Sequence, residues 1–397
     1  MSDTVQQIPK GYKKTEIGIF PKDWNIYQLG NIADIYDGTH QTPHYVFDGV
    51  PFYSVENVTN DEFKYTKYIS QNEHKELSKR CKIEQGDILM TRIGSIGNCK
   101  LINWKPNASF YVSLALIKPK NKSISPFIYY LSKTRCFQKE VEDRSLQWAI
   151  PQKINLGEIS QIRIPLPSNN KEREYISDVF FDIESLINNQ IKLIEKKKAI
   201  KQGVMQDLLT GKQRLPGFSG EWDKKKLGEI CNIKKGQLIT ERTRKDGNIP
   251  VIAGGKTPAY FHNKANCPNG AITISSSGAN AGFIALHNCP IFASDCSTIE
   301  KGENYSLQYL FFLLELNQEN IYKLQSGGAQ PHVHANDLQP IEVLIPKKTE
   351  QTAIAEVLSN MDSEIKFLEN ELNKYSQIKI GMMQQLLTGK IRIYESN

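Results

Sequence analysis

Three short polar segments recur in the two halves of this chain, at matched places but with different residues. They are its main candidates for chemistry. The first is Thr39, His40 and Gln41, matched by Lys235, Gln237, Arg242 and Arg244. The second, in the turn after a Gly-Asp-Ile or Gly-Ala-Ile strand, is Arg92, Ser95 and Asn98, matched by Ser276 and Asn280. The third, before the last strand of each half, is Arg144, Gln147 and Lys153, matched by Gln330, His332 and His334. Arg, Gln, Asn, Ser and His carry donor and acceptor forks that can read base edges, while Lys and Arg can hold phosphates. Loops are polar on most proteins, so the list means less than the matching: the same places are filled with different residues.

Motifs for covalent or cofactor chemistry fail on spacing. Ala253-Gly254-Gly255-Lys256-Thr257 looks like the end of a phosphate loop, but the position that should hold the first Gly is Pro250, which has no N–H for a phosphate. His332 and His334 are two apart and would share one face of a strand. Cys289 and Cys296 lie in the same half, yet a zinc site needs about four convergent ligands, so surface polar residues are the plainer reading. The chain has no G-x-S-x-G elbow, no N/D-P-P-F/Y segment and no G-x-G-x-x-G after a strand. Neither metal, cofactor nor catalysis is expected on this chain.

Composition sets the frame for these segments. At 397 residues the chain should hold more than one domain. With 39% hydrophobic and 23% charged residues, wholesale disorder is excluded. Lys plus Arg is 50 and Asp plus Glu is 43, a net +7 that permits a polyanionic partner without demonstrating one. The longest apolar run, 307–314, holds about half the residues of a membrane span, and Met1 to Lys10 lacks an apolar signal core. Seven Cys without a C-x-x-C fit a reducing interior. A cytoplasmic protein with no membrane contact is expected.

The elements that must position the polar segments are themselves duplicated. Residues 201–214 (KQGVMQDLLTGKQR) and 379–392 (KIGMMQQLLTGKIR) agree at a constant offset of 178. The fronts align at an offset of 198, pairing Trp24 with Trp222, Leu29 with Leu227, Gly30 with Gly228 and Gly38 with Gly236. The first copy is therefore about twenty residues longer in its middle. Short apolar or alternating runs (GDILMTRI, FYVSLALI, ISQIRIPL; GAITISSS, CPIFASD, PIEVLIP) predict strands, and 125–133 and 306–316 predict short helices. The fold class is α+β.

Each copy ends in a long helix. The second has a heptad seam of Ile354, Leu358, Met361, Ile365, Leu368, Leu372, Tyr375, Ile378, Met382 and Leu386. The first has Ile176, Phe180, Ile183, Ile187, Ile194, Ile200, Val204 and Leu208, interrupted by Gln190 and Lys197, which can fix register at a cost in stability. Gly211 and Gly389 are placed to take the left-handed cap. A narrow stripe on a helix of ~38 residues, about 57 Å long, needs another helix. The alternatives are packing on its own front or pairing with a second chain. Antiparallel pairing within the chain predicts two fronts related by a pseudo-two-fold axis at opposite ends of a coiled coil. It also brings the C-terminus near the start of the first front. The expected divisions are an N-terminal segment 1–22, a front 23–168, a helix 169–212, a linker 213–221, a front 222–346, a helix 347–390 and a tail 391–397.

Paired Leu-Leu-Thr-Gly-Lys-x-Arg helix ends, Trp-x4-Leu-Gly openings and Ile-Pro-Leu-Pro or Leu-Ile-Pro strand exits, spread over about 11–392, resemble the specificity subunit of type I restriction–modification systems. The resemblance implies that each front is a target recognition domain reading one half of a bipartite, asymmetric double-stranded DNA site, with the helices setting the spacer. It implies no catalysis on this chain. Its partners would be two modification subunits that methylate adenine with S-adenosylmethionine and, through them, restriction subunits that use ATP and Mg. Two other classes remain at this stage. A free-standing methyltransferase or nuclease would need a cofactor or metal motif. A coiled-coil adaptor without nucleic acid would leave the duplicated polar fronts unexplained.

Overall fold

The computed structural model describes residues 8–240, 242, 245–328 and 330–393. The chain forms two compact units, one of residues 1–189 with 372–397 and the other of residues 190–371. The division runs through both long helices, so each unit holds a front, one half of its own helix and one half of the other.

The strands of the first unit are β1 (Tyr12–Thr15), β2 (Gly18–Pro21), β3 (Trp24–Gln28), β4 (Ala33–Asp37), β5 (Tyr45–Val46), β6 (Val50–Tyr53), β7 (Lys67–Ile69), β8 (Ile88–Thr91), β9 (Cys99–Leu101), β10 (Ser109–Phe110), β11 (Leu114–Pro119) and β12 (Arg163–Pro167). An antiparallel sheet in the order β4-β11-β8-β9 is its centre, beside a mixed sheet β10-β6-β7-β5. Side chains alternate across the central sheet as a pleat requires. Ile88, Met90, Ala115 and Ile117 face a core with Trp24, Phe127 and Phe180. Leu89, Leu114 and Leu116 face a second core with Tyr53 and Phe110, against which Trp104 packs. Burial on both faces explains why Ile88, Leu89 and Met90 are apolar in succession rather than alternating with polar residues.

The second unit repeats this plan with β13 (Asp223–Lys226), β14 (Ile233–Lys235), β15 (Ile249–Ile252), β16 (Tyr260–His262), β17 (Ala271–Ser275), β18 (Ile284–His287), β19 (Phe292–Ala293), β20 (Cys296–Ile299) and β21 (Glu342–Ile345). Its central sheet is β14-β20-β17-β18, and its smaller sheet is β16-β15-β19. The helix Gln71–Arg80, between β7 and β8, accounts for much of the extra length of the first copy. Both predicted short helices form, as Ser125–Ser132 and Leu307–Leu316.

The long helices run Asn170–Leu209 and Lys348–Leu386. They pair antiparallel within each unit. In the first unit Glu172 meets Arg392, and Glu184 meets Lys379 at 2.6 Å. In the second, Gln190 Nε2 donates to the Leu368 carbonyl at 3.1 Å, Lys197 meets Glu364 at 2.5 Å and Lys201 meets Asp362 at 2.7 Å. Gln190 and Lys197, the two interruptions of the apolar seam, are therefore both partnered across it. Ile176, Phe180, Ile194, Leu208, Ile354, Leu358, Ile365 and Leu386 are buried. Ile183, Ile187, Met361, Leu368 and Leu372 are half-buried.

Two seam positions differ from expectation: Ile200 and Ile378 are exposed. A straight helix of 3.6 residues per turn drifts away from a 3.5-residue repeat. The seam passes instead to Lys201 and Lys379, whose ammonium groups pair with Asp362 and Glu184.

Each helix end docks on a tryptophan. Gly211 takes φ +73° beside Trp222, and Gly389 takes φ +67° against Pro21 and Trp24. Tyr12 donates its hydroxyl to the Gly389 carbonyl at 2.7 Å, so the end of the chain returns to the start of the first front as antiparallel pairing predicts. Arg392 bonds both Glu172 and Asp23, and Arg214 bonds Glu350 in the corresponding place. Burial opposes the Arg392 charge, but the two carboxylates more than offset this and raise its proton affinity.

Candidate nucleic-acid interface

In each unit the three polar segments converge at one end of the central sheet. In the first unit Ile93 bridges Lys153, Gly94 N donates to the Gln152 carbonyl at 2.8 Å, and Ile154 N donates to the Arg92 carbonyl at 2.9 Å. These bonds tie the 92–98 turn to the 144–153 loop. Thr39 bridges Tyr111, and Arg92 N donates to the Ser113 carbonyl, which brings in the 39–41 segment. The second unit repeats the ties: Ser277 bridges His332, Gly278 N donates to the Pro331 carbonyl at 3.1 Å, and Val333 N donates to the Ser276 carbonyl at 3.1 Å. Gln237 N reaches the Ala293 carbonyl at 3.0 Å. One backbone frame thus presents different side chains in the two units.

The frame corrects one pairing made from sequence. Thr91 N bonds the Asn98 carbonyl, whereas Ser275 N, in the equivalent place, bonds the Phe283 carbonyl. Asn98 therefore corresponds to Phe283, one place beyond the Gly282 that aligning 86–102 with 270–286 gives. An extra residue in the second turn shifts the register after the first glycine.

Asp37 is the hub of the first site. It accepts from His40 Nε2 at 2.6 Å, pairs with Arg80 and lies 3.8 Å from Arg92 Nη1. A cavity of about 340 Å³ opens here, lined by Asp37, Thr39, His40, Gln41 and Arg80 among others. Arg92 is turned inward. It is 8% exposed and donates to the Ile154 and Val112 carbonyls, so it braces the loops rather than presenting a fork to solvent. Burial pushes its proton affinity down, and Asp37 opposes that. Ser276, its counterpart, is also buried.

The other candidates are divided between the surface and internal ties. His40, Gln41, Ser95, Asn98, Gln147 and Lys153 are exposed. Asn98 Nδ2 donates to Ser95 Oγ at 2.8 Å. Thr39 is half-buried, and Arg144 is tied to Glu140 and Glu158. In the second unit Lys235, Gln237, Arg242, Gln330 and His334 are exposed, while Asn280 and His332 are half-buried. Arg244 lies outside the described residues. The His332 and His334 rings stack nearly parallel with centroids 5.9 Å apart, as residues sharing a face should.

Several functional candidates escaped the sequence reading. Arg80 reaches Asp37 from the end of its helix. Lys256 lies over the Phe283 ring at 5.4 Å, and Gly254 packs on the Ser277 carbonyl, so the 253–257 segment joins the second site. That segment lies between β15 and β16 and opens no helix, which removes the helix N-terminus a phosphate loop uses. Trp148 and Ile150 stand in solvent on the 144–153 loop. Only the aromatic-in-a-polar-loop pattern could have flagged them.

Among the described residues no group of three or more His, Cys, Asp or Glu is placed to hold a metal ion. Burial pushes the Cys231 and Cys296 thiols up to about 12, so neither is a thiolate at neutral pH. Among the described residues no helix is long and apolar enough to cross a membrane.

Two α+β units that share a frame, each gathering unlike polar loops at one sheet end, define a duplicated recognition protein. The family model of the type I restriction modification DNA specificity domain matches residues 21–201 and 219–376. The chain belongs to that family. It is 26% identical to the putative type I restriction enzyme MjaX specificity subunit of Methanocaldococcus jannaschii, over 97% of both chains. It is 24% identical to the type I restriction enzyme EcoBI specificity subunit of Escherichia coli, over 62% of this chain and 52% of that one. Its fold is similar to the crystal structure of a type I restriction–modification S subunit from M. genitalium, with a TM-score of 0.65 and 18% identity over 91% of this chain and 96% of that one.

Proposed function

We propose that this chain selects the DNA sequence for a type I restriction–modification complex. Each unit reads one half of a bipartite, asymmetric site, and the long helices fix the unspecified spacer and dock the modification subunits. The observation that carries the reading is the shared loop frame with unlike side chains: Lys153 stands where the second unit has His332, and Gln152 where it has Pro331. A protein that read two equal half-sites would have no use for that divergence.

The chain contributes no chemistry of its own in this scheme. Two modification subunits bring S-adenosylmethionine and methylate adenine, and restriction subunits bring ATP and Mg. A net charge of only +7 suits modest affinity for the isolated chain, with partners supplying further phosphate contacts. Methylome sequencing of the host with and without the gene tests the reading. A bipartite methylated-adenine motif that vanishes with the gene is expected. A methylome that does not change while the partner genes are active would contradict it.

A further inference from the structure

The tip of the 144–153 loop presents large apolar side chains to water. Trp148 is 96% exposed and Ile150 100% exposed, beside Leu146 at 44%. The tip is nevertheless held. Leu146 bridges Lys153 and donates its N–H to that carbonyl at 2.8 Å, Ala149 N donates to the Leu146 carbonyl at 3.1 Å, and Gln152 Nε2 donates to Ser145 Oγ at 2.9 Å. Through Ile93 and Gly94 the stem is fastened to the 92–98 turn. A held, apolar, fully exposed tip marks an interaction site.

We infer that Trp148 and Ile150 form a wedge that enters the base stack of the half-site read by the first unit. The inference rests on the DNA-reading function proposed above. Exposed Gln147 and Lys153 flank the tip, which suits a polyanion with apolar base faces inside it. Proteins that insert apolar side chains between bases unstack the step and bend the duplex, and an indole offers a flat face to the base it displaces.

The alternative occupant is a modification subunit, and the duplication argues against it. Two identical partners would need the same surface on both units. The corresponding loop of the second unit, 326–332, reads Ser-Gly-Gly-Ala-Gln-Pro-His and offers no large apolar residue. A feature confined to one unit belongs with what differs between the half-sites.

The test uses the complex of this chain with its modification subunits on duplexes carrying the site found by methylome sequencing. 2-Aminopurine is placed at successive positions of both half-sites. The expected result is a several-fold fluorescence rise at one position of the first half-site other than the methylated adenine. That rise should be lost in Trp148→Ala and retained in Trp148→Phe, with no such signal in the second half-site. Trp148→Ala should leave the thermal midpoint of the chain unchanged, because the side chain touches solvent. Unchanged fluorescence with both half-sites protected in a footprint would overturn the wedge and leave the DNA-reading function standing. Failure of Trp148→Ala to assemble with the modification subunits without DNA would overturn it too, by placing the tip on protein. Protection of neither half-site by the wild-type complex would contradict the parent reading.

Discussion

The two units are alike in the scaffold that takes the helix ends and ties the loops, and unlike in the loop edges that this scaffold presents. Trp24 and Trp222 take the helix ends, Glu172 and Glu350 take the arginines, and Gly94 and Gly278 bond the facing loops in the same way. At the surface of the same frame, Lys153 has His332 as its counterpart, and the apolar tip has a Gly-Gly segment as its counterpart. A core constrains residue type because packing and buried hydrogen bonds penalise change. A loop end fixed by backbone bonds can exchange side chains at little cost. The chain is thus a constant scaffold with two replaceable edges.

The largest effects should come from breaking the scaffold. Phe180 and Leu358 occupy equivalent positions and are fully buried. Phe180→Ala should cost about 3–5 kcal/mol and Leu358→Ala about 2–5 kcal/mol, read from denaturant midpoints. Next comes the helix-end clamp. Arg392→Ala strands the buried Glu172 and frees Asp23, for a loss of about 3 kcal/mol. Arg214→Ala, which gives up one carboxylate instead of two, should lose less. Equal losses would show that Asp23 contributes nothing.

Smaller effects sharpen the contrast between the edges. Lys153→Ala in the assembled complex should weaken binding to all sequences and reduce the salt slope by about one. His332→Ala, at the equivalent place, should change the slope less, because the position carries no lysine or arginine to neutralise a phosphate. The smallest effect concerns acid stability. Burial lowers the proton affinity of His74 in the first unit and His287 in the second below the ordinary 6.5. The unfolded chain then binds more protons than the folded one, so stability present above pH 6.5 is lost as pH falls through the depressed values. Thermal midpoints should drop between pH 7.5 and 5, and His74→Gln should flatten part of that fall.

The duplication made the scaffold readable. Ten shared residues in 201–214 and 379–392 located the helices, and the antiparallel argument correctly returned the chain end to Tyr12. Long-range geometry was less accessible. The passage of the seam from Ile200 to Lys201 depends on helix drift accumulated from Ile176 onward and on acids of the partner helix, which no local window contains. The polar segments were found, and the structure gathers them, but side-chain direction was not legible. Arg92 reads as a surface fork and is in fact a buried brace, because its acceptors, Val112 and Ile154, are distant in sequence. Nothing in the sequence marks Trp148 and Ile150 as exposed, because apolar residues ordinarily signal a core.

Exchange of the front 23–168 for that of another member of the family, followed by methylome sequencing, tests the central claim most directly. Independent readers on a constant scaffold predict a new sequence in one half-site, with the other half-site and the spacer length retained. A change in both half-sites, or in the spacer, would contradict the account.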